Sequence, residues 1–246
     1  MSRRRDPRRT ERGGERLLSA VERLVDDADG LIAEVESVRA TIRRMPAERG
    51  RTPRREVADR LIATYSTRSA IAGGITALPA IVPGAGTLVA TVGGSMVDMA
   101  WMLKHEVEMA LCLTYLYGFD IRDERERWIA YALVAVGTHE ARSRSNYFAD
   151  LAEAQLEAVA KYTPRQLSKL VLTMLGRLAV QRISRGLLRG VPLVGAIVGA
   201  SANKLVTRSV GRRCVKALER RRRAEREGGG EVIEATIEVR EAEVEP

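Results

Sequence analysis

Aromatic residues, cysteine and histidine are scarce in this sequence. Aromatic residues make up only 4% of the 246 positions, and there are two cysteines and two histidines. Cys112 and Cys214 lie far apart in apolar helical patterns, which do not support a disulfide framework or a metal cluster and indicate two buried, reduced thiols. The core must therefore consist mainly of Leu, Val, Ile and Ala. No apolar stretch follows the positively charged amino terminus, so no secretory signal peptide is predicted.

Residues 69–97 lack any charged side chain. In length this stretch matches a membrane-spanning helix, which needs about 20 apolar residues. However, Pro79, Pro83, Gly84 and Gly86 lie near its middle, and this composition breaks a helix. We therefore predict two short helices joined by a Pro/Gly turn. Such a hairpin suits either lipid or the core of a soluble bundle, and the sequence leaves both open.

A second uncharged stretch, residues 190–203, opens in a similar way. It contains Val-Pro-Leu-Val-Gly-Ala-Ile-Val, with Pro192 and Gly195, and resembles Val-Pro-Gly-Ala-Gly-Thr-Leu-Val at 82–89. The shared spacing indicates two matched helical hairpins, although a chance match between short apolar motifs explains it equally well. Glycines in both stretches allow helices to approach each other closely.

Sequence that alternates as in β-strands is absent before residue 231, and Ala and Leu favour helices. The predicted fold class is therefore all-α, a multi-helix bundle built around the two Pro/Gly-turn hairpins. Apolar residues recur at alternating steps of four and three near the amino terminus, which predicts an amphipathic helical arm. They are Leu17, Val21, Leu24, Ala28, Leu31, Val35, Val38 and Ile42.

Composition divides the chain into five segments. We predict a disordered basic tail at 1–13, the helical arm at 14–45, a polar linker at 46–54 and a helical domain at 55–227. An acidic flexible tail follows at 228–246, with six glutamates against one arginine. Within the domain, Thr163-Pro164-Arg165-Gln166 is a helix start with a capping box. The last helix is expected from about Asn203 to Glu227.

No catalytic, cofactor-binding or metal-binding set of residues is predicted, and the sequence leans away from an enzyme. Gly84 to Thr87 resembles a phosphate-binding loop but lacks its Lys and preceding strand. Ser143 and Ser145 lie near His139 without a third catalytic group. An enzyme is not excluded by these patterns.

Asp98 is the acidic residue that ends the first uncharged stretch. Burial of an unpaired carboxylate is costly, so we expect either an ion pair or an exposed helix end. The candidate partners are Lys104, Arg182, Arg189 and Lys204. His105 and Glu108 follow Asp98 at helical spacing, but metal ligands in bundles usually come from several helices, which disfavours a metal site.

The carboxy-terminal helix is strongly basic. Its charged residues include Arg208, Arg212, Arg213, Lys216 and Arg220, beside an apolar edge. A basic segment next to an apolar helix attracts anionic lipid. A solvated helix with no lipid contact is the alternative.

Together these segments resemble the EcsC family. The resemblance rests on two stretches, 72–128 and 191–214. The first contains the Pro-Gly-Ala-Gly-Thr turn, Asp98 and Tyr-Gly-Phe-Asp at 117–120, and the second contains Val-Gly-Arg-Arg at 210–213. It covers about residues 55–217. The resemblance implies an α-helical bacterial protein with a membrane-related role, and it supplies no catalytic residues.

These observations predict a non-enzymatic, membrane-associated interaction or regulatory protein. It would bind the cytoplasmic face of the cell membrane, peripherally or embedded, through lipid or a membrane protein. Residues 17–42 are the candidate segment for self-association. The alternative is a soluble basic bundle that binds a soluble protein or nucleic acid, although few aromatics and no recognition motif disfavour nucleic acid.

Overall fold

A computed structural model describes residues 7–45, 52–75, 97–142, 162–185 and 192–227, and all regular structure in these ranges is helical. The seven helices are α1 (Pro7–Leu24), α2 (Ala28–Arg43), α3 (Pro53–Ile75), α4 (Val97–Leu116), α5 (Glu124–Arg142), α6 (Pro164–Arg185) and α7 (Pro192–Glu227). This confirms the predicted all-α bundle. The predicted turn residues Pro79, Pro83, Gly84 and Gly86 lie outside the described ranges.

The amino-terminal arm consists of two helices, α1 and α2, and not of one continuous helix. The chain breaks between α1 and α2, because Asp27 caps α2 by accepting a hydrogen bond from the Gly30 amide at 2.7 Å. At the same break, the Asp26 amide donates to Glu108 Oε1 at 3.1 Å. Helix α1 begins at Pro7, within the predicted disordered tail, and proline suits the first turn of a helix.

Both arm helices pack against the rest of the chain. Leu17 and Val21 of α1 and Leu31 and Val35 of α2 are buried in the common core. Helix α1 lies so close to α6 that a Cβ on Gly14 would be 2.4 Å from the Leu172 carbonyl oxygen. The apolar seam is therefore used within the chain. Self-association through residues 17–42 stays a prediction, and it would have to use exposed residues of this segment.

Helix α4 is the centre of the bundle. It contacts α1, α2, α3, α5 and α7, and its side chains from Glu106 to Thr114 are all buried. A helix that is apolar on most of its faces is stable only when other helices surround it. The sequence Val-Glu-Met-Ala-Leu-Cys-Leu-Thr meets this requirement, apart from the glutamates described below.

Helix α7 is longer than predicted. It runs without a break from Pro192, whereas the sequence analysis placed the start of the last helix near Asn203. Proline is favourable at a first helical position, and the small residues that follow allow the helix to continue. Further along, a Cβ on Gly211 would lie 2.8 Å from Ile62 and 2.9 Å from Met109. Glycine is required there by the close approach of α7 to α3 and α4.

Side-chain contacts show how these helices are oriented. Arg55 of α3 pairs with Glu219 of α7, and Ser69 of α3 contacts Thr207 of α7, so the two helices are antiparallel. Helix α4 runs parallel to α7. Glu106 of α4 contacts Thr207 of α7, and further along both helices Tyr117, just beyond α4, contacts Glu219. The carboxyl end of α3 and the amino ends of α4 and α7 therefore lie together. We call this the apolar end, and the opposite end, with the turn at 117–123, the turn end.

The predicted start of the helix at 164 is confirmed in detail. The Thr163 amide donates to Gln166 Oε1 at 2.9 Å, and the Gln166 amide donates to Thr163 Oγ1 at 3.4 Å. These reciprocal bonds are the capping box that the sequence predicts, with Pro164 in the first turn.

Candidate functional site

The apolar end carries two exposed aliphatic side chains. Ile71 of α3 is 56% exposed and Leu205 of α7 is 67% exposed. The contact between Ser69 and Thr207 shows that the two residues lie at nearby levels of the antiparallel helix pair. The carboxyl end of α3 and the amino end of α4, which the uncharged residues 76–96 connect in sequence, both lie at this end.

Just inside the apolar end lies a buried polar cluster on four helices. It consists of Ser69 of α3, Glu106 of α4, Thr138 of α5 and Thr207 of α7, all fully buried. Thr138 donates a hydrogen bond to Glu106 Oε2. Thr207 Oγ1 lies 3.1 Å from Glu106 Oε1 and 3.0 Å from Ser69 Oγ, so it links the carboxylate to α3. A buried carboxylate is tolerated only with such partners.

A second buried carboxylate, Glu108, faces the break between α1 and α2. Lys104 Nζ lies 2.7 Å from its Oε1, and the Asp26 amide donates to the same oxygen. Burial raises the pKa of Glu108, but the neighbouring His105 and Lys104 outweigh this effect and hold the pKa below its usual value. The ionised carboxylate therefore fixes the amino-terminal arm to α4.

One candidate partner of Asp98 has an acidic neighbour of its own. Lys104 pairs with Glu108, and His105 Nδ1 lies 3.5 Å from Glu108 Oε2. Asp98 belongs to the first turn of α4, where a carboxylate interacts favourably with the helix dipole; its side chain lies outside the description. Within the described ranges, no group of His, Cys, Asp and Glu has the arrangement of a metal site.

The sequence pattern predicts no role for Glu106, and it offers Glu108 only as a possible metal ligand. The sequence does contain a signal for a structural role: Glu106 and Glu108 lie two residues apart at the start of the otherwise apolar run from Val107 to Leu113. Two residues correspond to about 200° around a helix, so the carboxylates face different neighbours.

The predicted basic residues form a line along α7. Arg212 and Lys216 are exposed, whereas Arg208, Arg213 and Arg220 are partly buried. Only Arg208 lies within one turn of Leu205, because each residue advances about 1.5 Å along a helix. Arg220 is about 22 Å from Leu205 by the same measure. The predicted basic surface therefore extends away from the apolar end.

The carboxyl half of α7 is fixed to the turn at 117–123. Arg221 forms two hydrogen bonds with Glu126, at 2.5 and 2.6 Å, and lies 3.9 Å above the Phe119 ring. Arg222 donates to the Tyr117 carbonyl oxygen, and Gly118 adopts a φ of +93° that glycine tolerates. These contacts explain the Tyr-Gly-Phe motif that the sequence analysis singled out.

Both cysteines are buried and free, as predicted. Burial raises the pKa of Cys112 and of Cys214 to about 12. A thiol with so high a pKa is a poor nucleophile, because the thiolate is the reactive form. Neither residue has the environment of a catalytic cysteine.

Among the described residues, no helix combines the length and hydropathy needed to cross a membrane. The residues that predicted a membrane hairpin, Pro79 to Gly86, lie outside that part of the chain. Pro192 and Gly195 lie in the first turns of α7, where only the backbone is described.

Comparison with known proteins agrees with the resemblance noted from the sequence. The model of the EcsC protein family matches residues 52–222, which include α3 to α6, the turn at 117–123 and most of α7. Neither the curated proteins nor the solved structures contain a match to this chain. The family match covers more than half of the sequence, and the chain therefore belongs to the EcsC protein family.

Proposed function

We propose that this EcsC family member is a non-enzymatic, membrane-associated interaction protein that binds the cytoplasmic face of the cell membrane through its apolar end. The observation that carries the proposal is the exposure of Ile71 and Leu205 at the end where α3 ends and α4 begins, the two helices that the uncharged residues 76–96 connect in sequence. Ile71 and Leu205 lie at nearby levels of the bundle, and exposed apolar side chains at one end of a molecule are typical of binding surfaces.

The apolar contribution has to come from more than these two side chains. Full burial of one exposed Ile or Leu side chain contributes about 1.5–3 kcal/mol. Ile71 and Leu205 are already partly buried in the bundle, so together they would contribute little more than this to membrane binding. The uncharged residues between Ile75 and Val97 would supply most of the apolar contact. Ile71 and Leu205 mark where the described bundle would meet the lipid.

Charge supports an end-on arrangement. Lys204 and Arg208 flank Leu205, and basic side chains beside an apolar contact attract anionic headgroups. Arg220 is too far along α7 to take part, because electrostatic attraction declines over a Debye length of about 8–10 Å. The proposal therefore assigns lipid attraction to Lys204 and Arg208, and a role other than lipid contact to the far end of α7.

No reaction is assigned to the protein. The strongest candidates for acid–base chemistry, Glu106 and Glu108, each have hydrogen-bond partners from neighbouring helices. Those contacts hold the bundle together, and they account for both carboxylates without a substrate.

Fractionation of expressing cells tests the proposal. Membranes would be washed with high salt and then with carbonate, and the protein followed in each wash. Retention through both washes is expected if the uncharged segments enter lipid, and release by salt would restrict the contact to basic side chains. Recovery of all the protein in the soluble fraction would contradict the proposal and favour a soluble partner or, if retention on DNA is salt-dependent, nucleic acid.

Vesicle flotation locates the contact. We expect Ile71→Glu combined with Leu205→Glu to reduce flotation with anionic vesicles strongly. Met45→Glu is the matched control, because Met45 is as exposed as Ile71 but follows α2, whose Arg39 reaches the Leu116 carbonyl oxygen at the turn end. Equal losses in the two proteins would show that the apolar end is not the contact.

A further inference from the structure

Four arginines from three helices meet at the turn end. Arg39 of α2 donates to the Leu116 carbonyl oxygen at 3.3 Å, and Arg54 of α3 lies 5.6 Å above the Tyr117 ring. Arg222 of α7 donates to the Tyr117 carbonyl oxygen, and Arg226 follows one turn later. We call these four residues the arginine cluster. The last carbonyls of α4 attract positive charge, which explains the position of Arg39 and Arg222.

The described acidic side chains near the arginine cluster do not neutralise all of its positive charge. Arg39 pairs with Glu36 at 2.5 Å, and the nearby Glu219 pairs with Arg55. Among the described residues, no acidic side chain forms an ion pair with Arg54, Arg222 or Arg226. Arg222 Nε is also buried without a hydrogen-bond partner in that part of the chain.

The mutual repulsion is visible at Arg54. Burial and the neighbouring Arg222 lower the pKa of Arg54 from its ordinary value, and Arg226 and Arg39 act in the same direction. An anion placed among these guanidinium groups would relieve this repulsion and form charge-assisted hydrogen bonds.

We propose that the acidic carboxy-terminal segment, residues 231–246, binds the arginine cluster of the same chain. The segment contains six glutamates and one arginine, so its charge complements the cluster. It is also close by, because α7 ends at Glu227, one residue after Arg226, and Gly228–Gly230 follow. Four extended residues span about 13 Å, which brings Glu231 within reach of Arg226 and Arg222.

Tethering favours this occupant over anions in solution. A short flexible linker gives an attached segment an effective concentration in the millimolar range. The arginine cluster also faces away from the apolar end, so the headgroups of a membrane bound there would be out of reach. The inference is therefore independent of the proposed function. Bound in this way, the tail would cover the cluster and exclude other acidic partners from it.

Distances between two spin labels on the full chain test this inference. Labels would be attached at Met45→Cys, near the turn end, and at Ala242→Cys in the tail, while the buried native thiols stay unlabelled. We expect a population with one short distance, and we expect its loss in Arg54→Glu combined with Arg226→Glu. Replacement of all six tail glutamates by Gln, which leaves the bundle unchanged, should cause the same loss.

The matched control is Arg208→Glu combined with Arg212→Glu, which makes the same charge change on the same helix outside the cluster. It should keep the short-distance population. A broad distance distribution in the parent chain would overturn the inference. So would an equal loss in the control, since it would indicate attraction to the overall positive charge alone.

Discussion

At the scale of the residue, Gly118 differs from the other described glycines because its backbone adopts a positive φ. At the other tight positions, glycine is favoured because a neighbouring atom leaves no room for a Cβ. Gly118 has a φ of +93°, and a Cβ there would lie 2.6 Å from Arg222 Nη1. We expect Gly118→Ala to lower the free energy of unfolding by about 1–3 kcal/mol. Gly137→Ala is the control, because its Cβ would meet Val210 at an ordinary 3.5 Å within a helix.

For Gly137→Ala we expect no loss, or a gain of up to about 1 kcal/mol from helix propensity. Chemical denaturation of both variants measures the difference. The same destabilisation in both would show that the conformation of the turn at 117–123 is not as described.

Also at this scale, the two buried thiols predict a dependence of stability on pH. The unfolded chain loses these protons from about pH 8.5 upwards, whereas the folded chain keeps them up to about pH 12. The folded state then binds more protons, so the free energy of unfolding falls as pH rises through this window.

The limiting slope is about 1.4 kcal/mol per pH unit for each thiol. Denaturation of the parent and of Cys112→Ala combined with Cys214→Ala between pH 8 and 10 should show a shallower decline in the variant. The comparison uses slopes only, because the substitutions also remove packing. Identical slopes would mean that the thiols are not buried.

At the scale of the element, the attachment of α1 to the bundle depends on Gly14. A methyl group at this position would collide with the Leu172 backbone, which cannot move aside as a flexible side chain can. We expect Gly14→Ala to loosen α1 from α6. Hydrogen exchange should become faster in α1 and stay slow in α4, whereas Arg16→Ala, at an exposed position of α1, should change neither.

Arg221 plays the corresponding part for the carboxyl half of α7. Its side chain is 12% exposed and that of Glu126 is 8% exposed, so removal of one partner leaves a largely buried charge. We expect Arg221→Ala to cost about 3–5 kcal/mol in the free energy of unfolding. Arg223→Ala, at an exposed position, should stay within about 0.5 kcal/mol of the parent. Similar values for both would rule out a structural role for the Arg221–Glu126 pair.

Much of the helix structure could be predicted from the sequence, and each failure has an identifiable physical cause. The capping box at Thr163 is encoded by four adjacent residues, so its prediction needed no tertiary information. The heptad pattern identified the buried residues of the arm but not its break, because Asp27 and Gly30 end one helix and begin another without interrupting the apolar spacing. The role of Glu106 depends on Thr138 and Thr207, which are distant in sequence.

At the scale of the whole molecule, the bundle has two different ends. The apolar end gathers Ile71, Leu205 and the attachment of the uncharged segments, and the turn end gathers the arginine cluster. The sequence shows both the uncharged stretches and the basic helix, and it predicts that both contact the same membrane surface. The antiparallel packing of α3 on α7 places the attachment of the first uncharged stretch towards the amino end of α7, away from the basic carboxyl half, and only tertiary contacts reveal this.

The most direct test of membrane binding by the apolar end is an environment-sensitive fluorescent label at Leu205→Cys. On addition of anionic vesicles, we predict a blue shift at Leu205→Cys and none at Met45→Cys, at the turn end. The buried native cysteines should not take up the label. Equal spectra at both positions, with or without vesicles, would contradict the account.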